Sequence, residues 1–193
     1  MWEEGFWDFA SLREIDFVMM QARRGLNTPL TSSVGRLFDA VAAVIGLRGR
    51  VSYEGQAAME LEALARAAPE QPPWPIRLRS ASHLIEIPSD AIMRCVVEDL
   101  RSGVEPAIIA RRFHATLIAA AVDLVERIAA ATGLRAVALS GGCFLNRILL
   151  AGLTAALRAR DFTVYTHRLV PPGDGGIALG QAVVAALGAS HLQ

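Results

Sequence analysis

The residues best suited to chemistry in this 193-residue chain lie in two glycine-rich turns. In the first, Ser140, Gly141 and Gly142 are followed by Asn146 and Arg147. The apolar run 136–139 before them reads as a strand and the segment after them as a helix. The turn therefore presents free backbone amides at a helix N-terminus, a geometry that attracts anions. Two adjacent glycines let a phosphate or ribose approach the backbone, and Ser140 and Asn146 supply directional hydrogen bonds. An ordinary strand-to-helix turn has the same pattern. In the second, Pro171-Pro-Gly-Asp-Gly-Gly176 opens the last helix after the strand 162–166. Its ionisable group, Asp174, either caps that helix or ligates a divalent metal held beside phosphates. Both turns are expected on one edge of one sheet, the edge where α/β folds bind ligands.

Weaker candidates surround these. Arg36 and Asp39 lie about one turn apart on an otherwise apolar helix, which reads either as an internal ion pair or as Asp39 accepting hydrogen bonds from ribose hydroxyls. Tyr53, Glu54, Gly55 and Gln56, followed by Glu60, form either a loop and first turn that reach a nucleotide or a capped helix start. The four histidines, His83, His114, His167 and His191, make no pair at metal-ligand spacing. His167 alone is near enough in sequence to the Asp174 loop to sit at a site rim; the others read as core or surface residues. Cys143 lies in the first glycine turn without a histidine base in sequence reach and reads as a small packing residue. No catalytic side chain is assigned.

Composition narrows the classes. The 19 basic residues balance the 19 acidic ones, and none is lysine. Without lysine there is no Walker A loop, no Schiff base and no lysine base, so a phosphate must be held by backbone amides or arginine. Zero net charge argues against a broad nucleic-acid surface. Two cysteines are too few for a disulfide framework or a structural zinc site. The most apolar stretches, 34–47 and 115–131, are interrupted by Arg36, Asp39, Asp123, Glu126 and Arg127, so no membrane span is expected. The chain opens on Glu3, Glu4 and Asp8 rather than a basic-then-apolar leader, and a cytoplasmic location is expected.

The elements that must position these residues follow from periodicity. Ser11 and Glu14 have capping-box spacing before a helix over 12–24, with Ile15, Val18, Met19 and Ala22 on one face. Thr31, Ser32 and Ser33 are alternative caps for a second helix reaching Ile45, and a third spans 55–67 with Ala58, Met59, Leu61 and Ala65 facing a core. The proline-rich stretch 69–75 reads as a connection inside a single partial domain covering 1–193. Alternation predicts short strands at 76–78 and 83–87. Helices over 89–102 and 106–132 follow, then strand, helix, strand and helix at 136–139, 146–160, 162–166 and 177–187. This is α/β architecture with a parallel component but few strands for a complete sheet.

Five ordered blocks carry a resemblance over about residues 12–187: Thr31-Ser-Ser-Val-Gly-Arg-Leu-Phe-Asp-Ala, Tyr53-Glu-Gly-Gln-Ala-Ala-Met-Glu-Leu-Glu, Arg112-Phe-His, Leu139-Ser-Gly-Gly and Pro171-Pro-Gly-Asp-Gly-Gly-Ile-Ala-Leu-Gly-Gln. In order and spacing they resemble the C-terminal part of the hydrogenase-maturation carbamoyltransferase family, HypF. That family's transferase domain is similar to the universal tRNA threonylcarbamoyl transferase and to antibiotic O-carbamoyltransferases. The resemblance implies an actin-like ATPase (RNase H-like) fold, here its second half-lobe, helix-rich with a small mixed sheet.

By the same resemblance, carbamoyl phosphate and ATP yield carbamoyl adenylate, and the carbamoyl group passes to the C-terminal cysteine of a HypE-like acceptor in [NiFe]-hydrogenase maturation. Asp39, Gly55, Glu60, Ser140, Gly141, Gly142 and Asn146 are implied to face the nucleotide. Asp174 is implied to ligate a divalent metal, whether iron, zinc or magnesium. The usual Gly-Gly-Val-Phe-Gln-Asn-Arg and Pro-Pro-Asn-Asp-Gly-Gly patterns are altered at Cys143, Leu145 and Gly173. The family's N-terminal regions and the first half of its transferase domain lie outside this chain, so the chain alone is expected to be inactive. A half-lobe of a small-molecule O-carbamoyltransferase and a non-catalytic interaction fragment are the alternatives.

Overall fold

A computed structural model of the chain describes residues 10–81 and 84–189. His83 and His191 lie outside the described residues, as do Glu3, Glu4 and Asp8. Helix α1 (Leu12–Arg24) opens on the Ser11–Glu14 capping box, and Gly25 closes it at φ 66°, a left-handed value that suits glycine. Among the described residues nothing buries its apolar face fully: Ile15 is half-buried, and Val18 and Met19 are exposed. Helix α2 (Val34–Val44) starts after Ser33 and buries Phe38, Val41 and Ala42. Helix α3 (Gln56–Ala67) buries Gln56, Ala57, Leu61 and Ala65. Met59, expected among the core positions, is instead 53% exposed. Two residues from Leu61 on a helix is about 200° away, so burying the Leu61 face turns Met59 to solvent.

The proline-rich connection is anchored rather than slack. Trp74 is buried; its backbone amide donates to Thr116 Oγ1 at 2.9 Å and its indole N–H donates to Asp99 Oδ2 at 3.0 Å. Beyond it Leu78 is buried and Ile76 packs against the core, so the inward alternation read from the sequence is present. The strand expected at 76–78 is not: the Ile76 amide turns back to the Trp74 carbonyl, and side chains rather than a ladder hold the segment. The strand comes later, β1 (Arg79–Ala81), antiparallel to β2 (Leu84–Glu86).

Helix α4 (Ser89–Arg101) precedes the 27-residue α5 (Pro106–Thr132), which starts with proline at its first turn and ends at left-handed Gly133. Strand β3 (Ala136–Leu139), helix α6 (Arg147–Arg158) and strand β4 (Thr163–Thr166) form the parallel unit, with Leu139 opposite Thr166. Helix α7 (Ile177–Ala189) follows. Among the described residues the strands form two separate pairs, one antiparallel and one parallel.

Two cores flank α5. The first gathers Phe38, Leu61, Ile92, Ile109 and Phe113 from α2 to α5; the second gathers Val122, Leu139, Leu157, Phe162 and Val164 under the parallel strands. Helix α6 lies so close to α5 that a Cβ at Gly152 would collide with the Ile118 side chain. No helix among the described residues is long and apolar enough to cross a membrane.

Candidate functional site

Parallel pairing of β3 and β4 brings the two glycine turns to one sheet edge. Immediately beyond the strands, Ser140 Oγ and His167 Nε2 are 2.8 Å apart, so the histidine kept from the sequence as a rim residue stands at that edge. The Gly141 amide donates to the Pro172 carbonyl at 2.8 Å, joining the turns directly. Gly141 holds φ 105° and ψ 158°, a region open essentially to glycine. A Cβ at Gly173 would rest 3.4 Å from Gly142 Cα, so the turns also touch one residue further on.

The structure inserts a short 3₁₀ turn, Gly142–Leu145, between β3 and α6, where the sequence suggests direct entry into the helix. This shifts the anion-attracting amides. The Phe144 amide is bonded to Gly141, whereas the amides of Gly142 and Cys143 have no partner among the described residues. Space beside Gly142 is open. At α6 two first-turn amides are engaged: Asn146 Oδ1 accepts from Leu149 at 3.0 Å as N-cap, and Glu62 Oε1 accepts from Arg147 at 3.1 Å. The carboxylate of Glu62 thus takes the place beside the helix N-terminus that the sequence offers to a ligand anion.

Asn146 is also committed on its other side. Its Nδ2 lies 2.9 Å from His114 Nε2, and His114 Nδ1 lies 2.7 Å from the Ala110 carbonyl. Backbone groups fix both ends. The Leu149 amide only donates, so Oδ1 faces it and Nδ2 donates to His114 Nε2; the Ala110 carbonyl only accepts, so Nδ1 carries the proton. His114 is fully buried, and burial pushes its pKa down to about 4.

The remaining candidates occupy separate networks. Asp39 pairs with Arg36 at 2.9 Å on the surface. Gly55 has φ 79° and precedes α3. Glu60 receives Arg48 through Nε at 2.8 Å and Nη2 at 2.7 Å, and Gln56 Nε2 at 2.9 Å. These bonds hold its carboxyl below the usual range. Gln56 in turn accepts from the Ser52 amide, so the block around Gly55 braces its own loop. No hydrogen bond or ion pair joins Asp39, Gly55 or Glu60 to the glycine turns among the described residues.

Asp174 opens a second 3₁₀ turn, Asp174–Gly176, and among the described residues its side chain makes no hydrogen bond and no ion pair. The capping role considered from the sequence is unused. Among the described residues no group of three His, Cys, Asp or Glu side chains converges as a metal site requires.

Glu62, His114 and the Pro172 carbonyl are the site-forming groups that sequence reasoning passed over. The carbonyl has no side-chain signal, and Glu62 meets α6 from 85 positions away. An open groove of about 1000 Å³ runs along α5 and α6 past Arg66, Arg111 and Arg160; it contains none of the candidates.

Comparison with known proteins bears on this geometry. Residues 3–181 match the family described as the carbamoyltransferase HypF, Kae1-like domain, second subdomain. The carbamoyltransferase HypF of Rhizobium leguminosarum bv. viciae is 47% identical over 161 residues, 82% of this chain and 20% of that protein. Carbamoyltransferase HypF2 of Cupriavidus necator is 42% identical over 188 residues, 86% of this chain and 23% of that protein. A crystal structure of full-length HypF in its phosphate- and nucleotide-bound form superposes with a TM-score of 0.88 at 42% identity, over 94% of this chain and 24% of that one. The chain thus spans between a fifth and a quarter of the length of these relatives.

Proposed function

The chain belongs to the HypF carbamoyltransferase family, as the second subdomain of its Kae1-like domain, and from that membership we propose that it forms one wall of a nucleotide site. The observation that carries this reading is the Gly141–Pro172 hydrogen bond, which locks two glycine turns together beside the free amides of Gly142 and Cys143. Amides with nothing to bond suit phosphate oxygens, and in a lysine-free chain they are the natural donors. A relative of the same fold is described as phosphate- and nucleotide-bound, which supports the same reading. Ser140 and Gly141 shape this wall; Asp39, Gly55 and Glu60 belong to a second wall, and Asn146 acts from beneath the first.

In the whole enzyme the reaction is transfer of a carbamoyl group from carbamoyl adenylate to the C-terminal cysteine of a HypE-like acceptor, within [NiFe]-hydrogenase maturation. The thiolate sulfur bonds to the carbamoyl carbon, the carbon–oxygen bond to phosphate breaks, and AMP leaves with that electron pair. Carbamoyl phosphate is the original donor. Regions of the enzyme beyond this chain form the adenylate and complete the site. The amides of Gly142 and Cys143 would hold the phosphate that becomes the leaving group. Asp174 is one carboxylate of a metal site whose other ligands come from outside the described residues.

The test is equilibrium binding of a non-hydrolysable ATP analogue to the full-length protein carrying this chain. Asp39→Ala and Gly142→Val should each weaken binding in folded protein. Wild-type affinity in both variants would remove the nucleotide assignment.

A further inference from the structure

A fully buried imidazole in an apolar core costs desolvation unless its nitrogens are bonded, and His114 has bonds on both. Its surroundings connect both walls of the site. The ring meets Phe38 edge-on at 5.3 Å between centroids, and Phe38 is the residue before Asp39 on α2. The ring also receives the Asn146 amide, and the Asn146 backbone N–H donates to the Cys143 carbonyl, closing the 3₁₀ turn whose Gly142 and Cys143 amides have no partner among the described residues.

We propose that His114 is a positioning residue for the nucleotide wall: its unprotonated Nε2 fixes the orientation of the Asn146 amide, and Asn146 fixes the start of α6 and the Gly142–Leu145 turn. Without an acceptor at this point, the Leu149 N–H alone opposes a flip of the Asn146 amide. A flipped amide would set Nδ2 against the Leu149 N–H, donor against donor, and the cap would be lost. Phe113 packs beside Phe38 on the ring, 5.7 Å from it between centroids, and the imidazole is fully buried, so it has little freedom to follow a displaced asparagine. What the turn binds rests on the nucleotide reading above; the link from His114 to the turn stands on the contacts alone.

The experiment uses full-length protein labelled with ¹⁵N-histidine, with the His114 signal assigned by its loss in the variants. At pH 7 we expect a neutral ring protonated at Nδ1, with an Nε2 resonance that shifts in Asn146→Ala. His114→Leu should weaken binding of the ATP analogue about ten-fold, the equivalent of one buried hydrogen bond. His114→Gln retains an acceptor oxygen and should stay within about three-fold of wild type, since the lost contact is then restored. His114→Leu combined with Asn146→Ala should lose no more than the worse single variant, because both cut one link.

A ring protonated at Nε2, wild-type binding by folded His114→Leu, or additive losses would each overturn the proposal. If His114→Leu does not fold, the half-buried Asn146 reads the link from its other end: an unmoved His114 signal in Asn146→Ala overturns it. If wild-type protein does not bind the analogue, the nucleotide reading fails. The tautomer and the additivity of the two substitutions in thermal melts then still decide the positioning link.

Discussion

The backbone amide of Gly141 and the carbonyl of Pro172 are 2.8 Å apart, so one hydrogen bond ties the turn after β3 to the loop that leads into α7. Neither group belongs to a side chain. Gly141→Ala forces an L-residue into φ 105° and should cost about 1–3 kcal/mol in urea unfolding. Gly142→Ala is the contrasting case, because a Cβ there meets nothing within 4 Å of the protein. Its urea midpoint should match wild type while affinity for the ATP analogue falls on the order of ten-fold, since the methyl obstructs only a ligand.

His114 predicts an acid limb of stability. Its pKa falls from the ordinary 6.5 to about 4 on folding, through burial and the neighbouring Arg111 charge, partly offset by the Ala110 carbonyl. The unfolded chain therefore binds more protons between those values, and stability must fall as the pH drops from about 6.5 to about 4. The loss attributable to this group is on the order of 3 kcal/mol and flattens below its folded pKa. Urea midpoints across that range, compared with His114→Gln, isolate the component; an unchanged slope in the variant would assign it elsewhere.

Trp74→Phe removes the indole N–H that reaches Asp99 while retaining most of the buried ring. Arg112 still donates to the same carboxylate at 2.9 Å, so the expected cost is about 1 kcal/mol. Trp74→Ala should cost about 3–5 kcal/mol, the range for emptying a buried aromatic site. Chemical denaturation of the two variants separates the hydrogen bond from the packing.

Asp174→Asn should leave the melting temperature nearly unchanged, because among the described residues the carboxylate makes no hydrogen bond and no ion pair. Calorimetry of this chain with iron, zinc and magnesium should show weak binding at most, since one carboxylate is a poor donor set for any of them. In the full-length protein, the same substitution should abolish carbamoyl transfer to the acceptor cysteine, followed by mass, while pyrophosphate exchange persists.

Helices and their ends were legible because their signals are local. The Ser11–Glu14 box, Gly25, Pro106 and Gly133 mark boundaries that the structure repeats. The alternation at Ile76 and Leu78 was also real, yet it recorded which side chains face inward and not whether a partner strand exists. For the site, the two glycine turns and their shared edge were visible from strand order. Their commitments were not. Glu60 is braced by Arg48, Asn146 is held by His114, and Glu62 sits at the start of α6, each through a partner brought near only by folding. Sequence spacing shows which groups can bond, while competition among partners decides which remain available.

Helix α5 serves both cores, and Ile118 near its middle packs against each of them. At 27 residues it is about 40 Å long, so its two ends answer to different neighbours. Amide exchange should therefore divide the molecule into two cooperative units that open independently, with α2 to α4 in one and the parallel strands in the other. Amides around His114 to Ile118 would exchange only when both units are open. Loss of either unit alone would leave that central turn of helix protected, so the slowest-exchanging protons mark the join between the cores and not the centre of either.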